Sequence, residues 1–291
     1  EVVQGIASAL YGMNATNGLA NIRTRNPFES EGISFRQQVA VNHLQNPQGI
    51  GARAYTESAF RWAKALTQQW AFKINTGFSK GYDWIAGNDS DLNPLANRTT
   101  NLTGTDNPAY DAVNGYGNES SNRRTLSLNG KNYVVARTGY REQDVVDYSL
   151  QNLKADATLV YRPKEGMELS YTGRAAFLDN VYQRSNRFRL EDYLLQQHVL
   201  QFRGPLLQAK AYLNGENTGQ SYNLRSMAEN IDRYSKSDDR WFSDYTKAFQ
   251  EALKTDPDIV QAHRRARAVA DTFRPRPGTE AFRRILDTLA R

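Results

Sequence analysis

Seven stretches of the chain alternate apolar and polar residues with a period of two, which predicts strands with one apolar and one polar face. In 33–44, Ile33, Phe35, Val39 and Val41 share one face, and Ser34, Arg36, Gln38 and Asn42 the other. A weaker strand over 55–65 carries Phe60 and Trp62. Over 70–79, Trp70, Phe72, Ile74 and Phe78 oppose Lys73, Asn75 and Ser79. Over 148–161, Leu153, Ala155, Ala157, Leu159 and Tyr161 oppose Lys154, Asp156 and Thr158. Residues 167–177, 193–203 and 206–214 continue the series. Short turns at Leu66–Gln69, Arg162–Gly166 and Arg203–Pro205 join the strands in pairs, and long polar stretches over 45–54, 80–147 and 178–192 separate the pairs. After 216 the period becomes helical. Trp241, Phe242, Tyr245, Phe249 and Leu253 recur at three- and four-residue steps, Asp256-Pro257 opens a second helix reaching Phe273, and Pro277-Gly278-Thr279 caps a third.

A further motif precedes the first long strand. Gly5, Ser8, Leu10, Tyr11, Gly12, Ala15, Gly18, Asn21, Ile22 and Thr24 fall in register on the pattern that ends the plug domain of TonB-dependent outer-membrane receptors. Leu19-Ala20 and Arg25 depart from it mildly. Read from the residues alone, Ser8–Gly12 is a helical turn closed by glycine, and a strand opens at Gly18 and ends before Asn26-Pro27. Glu216-Asn217-Thr218-Gly219-Gln220-Ser221-Tyr222-Asn223 resembles a stretch of a Bacteroidetes-type subgroup of these receptors.

This resemblance implies a mainly β fold: a partial transmembrane antiparallel β-barrel of seven up-and-down strands, with a C-terminal piece of plug and a helical extracellular insertion. The divisions are plug end over 1–27, first barrel strands over 28–224 and helical insertion over 225–291. Outer-membrane barrels combine short periplasmic turns with long outer loops, matching the alternation seen here. Strands of ten to twelve residues, at roughly 3.3 Å each, suit a tilted crossing of an apolar band about 25 Å tall. Trp70, Tyr161 and Phe202 beside the short turns suit an aromatic girdle. Plugged outer-membrane transporters have about 22 strands, so the chain reads as an internal third of such a molecule, and Glu1 as a start inside an element.

The function implied is active import across the outer membrane of a Gram-negative bacterium, with nutrient or siderophore uptake as the general class. Ser8, Leu10, Tyr11, Gly12, Gly18 and Asn21 would hold the plug against the wall. Asp83, Trp84, Asp89, Asp91, Arg184 and Arg187 are the loop residues expected to face the ligand. The implied partners are the lipid bilayer, the TonB complex acting through residues upstream of Glu1, an imported ligand of unspecified class and, as an open option, a surface lipoprotein lid.

Composition narrows the alternatives. The chain has 291 residues and no cysteine, which excludes disulfides, thiolate metal sites and cysteine nucleophiles. Mean hydropathy is −0.71 and no apolar run has the length of a membrane helix, whereas barrel strands average to such a value. Sixteen tyrosines and four tryptophans suit interfacial girdles. His43, His198 and His263 lack metal-ligand spacing, and no nucleophile elbow, P-loop or dinucleotide fingerprint is present, so neither catalysis nor a cofactor is expected. Asp83, Asp89 and Asp91 lack the glycine and glutamate of a calcium loop. The net charge is +6, and Arg264, Arg265, Arg267, Arg274, Arg276, Arg283 and Arg284 make the C-terminal segment basic. These arginines frame the rival expectation: a soluble or surface-attached module engaging a polyanion, with nucleic acid not expected.

Overall fold

A computed structural model of the chain describes residues 2–4, 18–20, 24–44, 51–100, 102–119, 122–183 and 187–290. At the N-terminal motif, β1 (Val2–Gln4) pairs antiparallel with β2 (Gly18–Ala20), Val2 opposite Ala20. A strand therefore does open at Gly18. Ser8, Leu10, Tyr11, Gly12 and Asn21 lie outside the described residues.

The main body is one large antiparallel sheet. β3 (Gly32–Asn42), β4 (Arg53–Ala65) and β5 (Trp70–Tyr82) form a meander. The long connection that follows holds β6 (Gly115–Tyr116), β7 (Arg123–Leu128), β8 (Lys131–Ala136), β9 (Tyr140–Arg141) and α1 (Glu142–Val145). β10 (Ser149–Tyr161) pairs with β5, and β11 (Glu168–Tyr182), β12 (Phe188–Arg203) and β13 (Gln208–Asn217) extend the meander. β14 (Tyr222–Asn223) folds back onto β12 and leads into α2 (Leu224–Ser235), α3 (Asp238–Thr255), α4 (Ile259–Ala270) and α5 (Glu280–Ala290). Each long strand pairs with its neighbours in sequence, and among the described residues β3 and β13 are the two free edges. The fold is mainly β, with a helical C-terminal part, as the periodicity predicts.

Local chemistry sets the turns. Thr67 Oγ1 accepts the amides of Gln69 and Trp70 at 3.1 and 3.0 Å, closing the β4–β5 turn. Gly166, at φ +73°, closes the β10–β11 turn. Asn129 and Gly130 both have positive φ, as an Asn-Gly hairpin between β7 and β8 requires.

The register fixes what each face carries. Trp62, Ile74, Ala157 and Gly173 lie in one cross-strand row, and Phe78, Leu153 and Phe177 in another. With Ile33, Phe35, Leu159, Tyr171, Leu200 and Leu213, these rows place exposed apolar side chains across all seven strands on one face. The opposite face carries Arg36, Arg61, Lys73, Asn75, Asp156, Thr158, Arg174, Gln197 and Asn214. Along β5 the apolar band runs from Trp70 to Phe78. Eight steps of about 3.3 Å give some 26 Å along the strand.

Two expectations fail. Residues 178–192 are not a long loop: β11 continues to Tyr182 and β12 begins at Phe188. The polarity of Asp179, Asn180 and Asp192 suggests a loop. Instead these residues sit in a bulged extension, where the pairing shifts between Leu178 and Asn180 and Asp192 takes φ 52°. The strict alternation of short and long connections therefore breaks at 183–187. Nor is 80–147 a solvated loop. Leu128, Tyr133 and Val135 from this segment are buried with Trp241, Phe242, Tyr245 and Phe249 of α3. Ile85, Tyr140, Val145 and Tyr148 are buried with Leu224, Met227 and Ile231 of α2, together with Phe282 of α5. The β5–β10 connection and the C-terminal helices thus fold together into one cap.

Helix starts follow capping chemistry. Asp258 accepts the amides of Val260 and Gln261, so α4 starts after Asp258, with Pro257 ahead of the cap and not inside the first turn. Thr279 Oγ1 accepts from Phe282 N at 3.2 Å, capping α5 as expected. Phe273 lies beyond α4, at φ 69° and 86 % exposed.

Candidate functional site

The chain from Thr24 to Ser30 crosses the polar face at its turn end. Lys73, buried on that face, donates to Thr24 Oγ1 at 2.7 Å and to the Arg25 carbonyl at 3.0 Å. Asn26 donates to Glu168 at 2.8 Å, and Arg61 reaches the Ser30 carbonyl at 2.5 Å. Arg162 lies over the Phe28 ring at 4.1 Å and pairs with Glu168 at 3.3 Å. Three strands and the β10–β11 turn thus hold the segment that leads out of the N-terminal motif. The apolar face receives none of these contacts.

At the other end of the sheet, the expected ligand-facing residues do not converge. Asp83 accepts from Val181 N at 2.8 Å, and burial pushes its pKa up. Trp84 is 64 % exposed and stacks on His43, whose Nε2 meets the Asp83 carbonyl at 2.9 Å. Asp91 accepts the amides of Asn93 and Asp111 and the side chain of Asn107, so it ties the loop together. Asp89 contributes its backbone carbonyl to Tyr110 at 2.5 Å. Arg187 donates to Glu142 at 2.7 Å inside the cap. Arg184 lies outside the described residues. Only Asp83 and Trp84 remain together, at the rim between sheet and cap.

The polar groups that organise the cap carry no sequence signal of their own. Glu142 is fully buried and accepts from Tyr116 at 2.9 Å, Tyr148 at 2.8 Å and Arg187. Arg137 is buried between Asp238 and the carbonyls of Lys236 and Asp232. Most of the arginines expected to form a basic patch serve the same purpose. Arg267 donates to the carbonyls of Ala136 and Pro108, Arg274 to Asp232 and the Gly139 carbonyl, and Arg264 twice to Asp106. Arg265 stands 3.6 Å from Asp256, and Arg284 pairs with Glu280. Arg276 and Arg283 are exposed.

The Glu216–Asn223 stretch acts as a corner. Tyr193 donates to Glu216, Asn217 accepts from Gly219 N at 3.0 Å, and Ser221 Oγ accepts from Glu191 N at 3.1 Å. A Cβ on Gly219 would stand 2.4 Å from the Glu191 and Asp192 carbonyl oxygens, at φ +57°. Tyr222 then donates to the Val145 carbonyl, and Asn223 caps α2.

Two buried groups in the cap titrate in opposite senses. Burial raises Asp232 to about 6, against the pull of Arg274 and Arg137. Burial, aided by Arg267, lowers His263 to about 4. Ionised Asp232 opposes folding, so its contribution to stability falls as pH rises from about 4 to about 6. Protonated His263 opposes folding, so its contribution falls as pH drops from about 6.5 to about 4. Each slope approaches about 1.4 kcal/mol per pH unit, and over the shared window they offset each other. These two contributions therefore cancel between about pH 4 and pH 6, and the urea midpoint of the cap, followed by tryptophan fluorescence, is left to the carboxyls of Asp111, Glu119 and Asp144, which burial also raises and whose contribution falls as pH rises. His263→Phe gains stability toward acid, and Asp232→Asn loses it. Slopes that change in the same direction from that of the parent chain in the two variants would refute this account.

Among the described residues no group of three or more His, Asp or Glu side chains could hold a metal ion. The histidines stand apart: His198 meets the Tyr171 hydroxyl at 2.7 Å and His263 that of Tyr245 at 2.8 Å. What the geometry offers is an exposed apolar face, a polar face and a folded cap. Comparisons with known protein families, with curated proteins and with solved structures found no match.

Proposed function

We propose that the chain forms part of the barrel wall, the outer cap and the plug-to-barrel link of a TonB-dependent transporter in a bacterial outer membrane. One observation carries this: seven meandering strands expose an apolar band on one face, interrupted by Gln37, Ser58, Gln196 and His198, while the segment leading from the plug-like motif binds the other. A monomeric protein in water rarely exposes a contiguous apolar patch above a few hundred Å². A barrel in lipid has apolar residues outside and polar ones within. In such a molecule the band meets acyl chains, the polar face lines the lumen, and further strands join β3 and β13. The link from Thr24 to Ser30 anchors the plug to the wall. The cap stands over the outer rim, where a ligand arrives.

The test is to express this chain and fractionate it with and without detergent, following circular dichroism. The expected result is insolubility in water, with β structure recovered in detergent or lipid. A monodisperse, cooperatively unfolding protein in plain buffer would overturn the proposal.

A further inference from the structure

The polar residues that interrupt the apolar band differ in depth and in how their hydrogen bonds are met. Gln37 and Ser58 lie in its outermost row, level with Phe78, and serve each other: Ser58 Oγ donates to Gln37 Oε1 at 2.6 Å. Lys64 lies level with Phe72, close enough to the tight turns for its stem to reach water. Gln196 and His198 lie deeper, side by side on the exposed face of β12. His198 stands opposite Gly173 and Leu213, in the row of Ile74 and Ala157. Counted up β5 as Trp70, Phe72, Ile74, Thr76 and Phe78, that row is the middle of the band.

Here the donors outnumber the bonds. The Tyr171 hydroxyl and His198 Nδ1 meet at 2.7 Å. Whichever of them donates, the pair holds two donors, a phenol O–H and an imidazole N–H, and uses one. The Gln196 side chain has no hydrogen-bond partner among the described residues. Water would satisfy all of these groups, whereas in hydrocarbon each unpaired one is strongly unfavourable. Acyl chains carry no acceptor, and headgroups and water stop at the rim of the band. A second spanning protein surface does bring polar groups to the middle, and a second copy of this chain brings matching ones at the same depth. Neither side chain needs to carry charge, and the Gln196 amide both donates and accepts, so the set is complementary to itself across a two-fold axis. Local relief admits such a contact: a Cβ on Gly173 would stand 3.7 Å from the Tyr171 hydroxyl and one on Gly215 3.9 Å from Gln196 Oε1, so both polar groups lean over bare backbone.

We propose that the surface around Gln196 and His198 is a contact between two copies of this chain within the membrane, related by a two-fold axis along the bilayer normal, each copy supplying acceptors for the other's surplus donors. The contact rests on the membrane placement proposed above, because only in lipid do these donors lack water.

The chain has no cysteine, so a single introduced one reports on a single place. Ala175→Cys stands beside Gln196, and Ile33→Cys lies in the row of His198 but on the edge strand β3. Each variant is reconstituted in phospholipid vesicles and treated with a short bis-maleimide. Ala175→Cys is expected to yield about ten times more cross-linked dimer than Ile33→Cys. Adding Gln196→Leu with His198→Leu, both at exposed positions, is expected to weaken dimerisation about tenfold at unchanged β circular dichroism, although it makes the surface more apolar. Ala175→Cys chains that insert but stay monomeric, or dimers indifferent to the two leucines, overturn the contact while leaving the membrane placement standing. Linkage through Ile33→Cys in place of Ala175→Cys also overturns it, in favour of pairing between open sheet edges. A chain that never inserts fails the membrane placement, and this contact with it.

Discussion

Ala157→Arg is expected to destabilise the lipid-inserted chain by about 2–4 kcal/mol, while Ala157→Leu leaves it unchanged or slightly more stable. Ala157 is exposed on the apolar face, midway along the band on β10, between Ile74 and Gly173. No core packing is lost by enlarging an exposed alanine. On a wet sheet either change falls within about 0.5 kcal/mol. In a bilayer the position lies near the midplane, where an arginine must either give up its hydration or bend toward the interface. The two variants therefore report the solvent at one point of the surface. Urea unfolding of the vesicle-inserted protein, followed by tryptophan fluorescence, provides the measurement. Arginine and leucine variants with midpoints equal to that of the parent chain would mean that the band faces water.

The strands are legible in the sequence because a sheet with two unlike faces writes its alternation residue by residue. Ile33 to Val41 and Leu153 to Tyr161 state their own register. The upper ends are less legible. There Asp179, Asn180 and Asp192 interrupt the alternation and look like a loop, although pairing resumes past the bulge at Asn180 and Leu190. The cap is hidden for a different reason. Its buried residues, Tyr133, Val135, Tyr140 and Tyr148, are few and scattered among Asn, Gly and Ser, and their partners arrive about a hundred residues later in α2 and α3. One signal was available: Asn129-Gly130 between Leu126-Ser127-Leu128 and Tyr133-Val134-Val135 spells a tight hairpin. The expected ligand residues were chosen by chemical type, and type does not separate a carboxylate that faces solvent from one that satisfies backbone amides, as Asp91 does. Arginine clustering misleads in the same way, since Arg267 and Arg274 spend their donors on carbonyls within the cap.

Glu142→Ala is expected to cost about 3–5 kcal/mol, because it leaves a charged guanidinium and two hydroxyls without their shared acceptor. Tyr116 from β6, Tyr148 at the foot of β10 and Arg187 at the start of β12 all point their donors at this carboxylate. The carboxylate joins the cap segment to two strands of the sheet. Val145 and Tyr148, close in sequence, belong to the core shared with α2 and Phe282. Loss of the acceptor therefore loosens the seat of the cap rather than the meander below it. Amide exchange should rise over 140–148 and α2, while β5, β10 and β11 retain their protection. Pairing the change with Arg187→Met, as Glu142→Leu/Arg187→Met, removes the orphaned charge and is expected to recover most of the loss. If the single variant exchanges like the parent chain, the buried carboxylate does not seat the cap. If protection is lost equally through the long strands, cap and sheet unfold as one unit, and the outer cap cannot move independently of the wall that carries it.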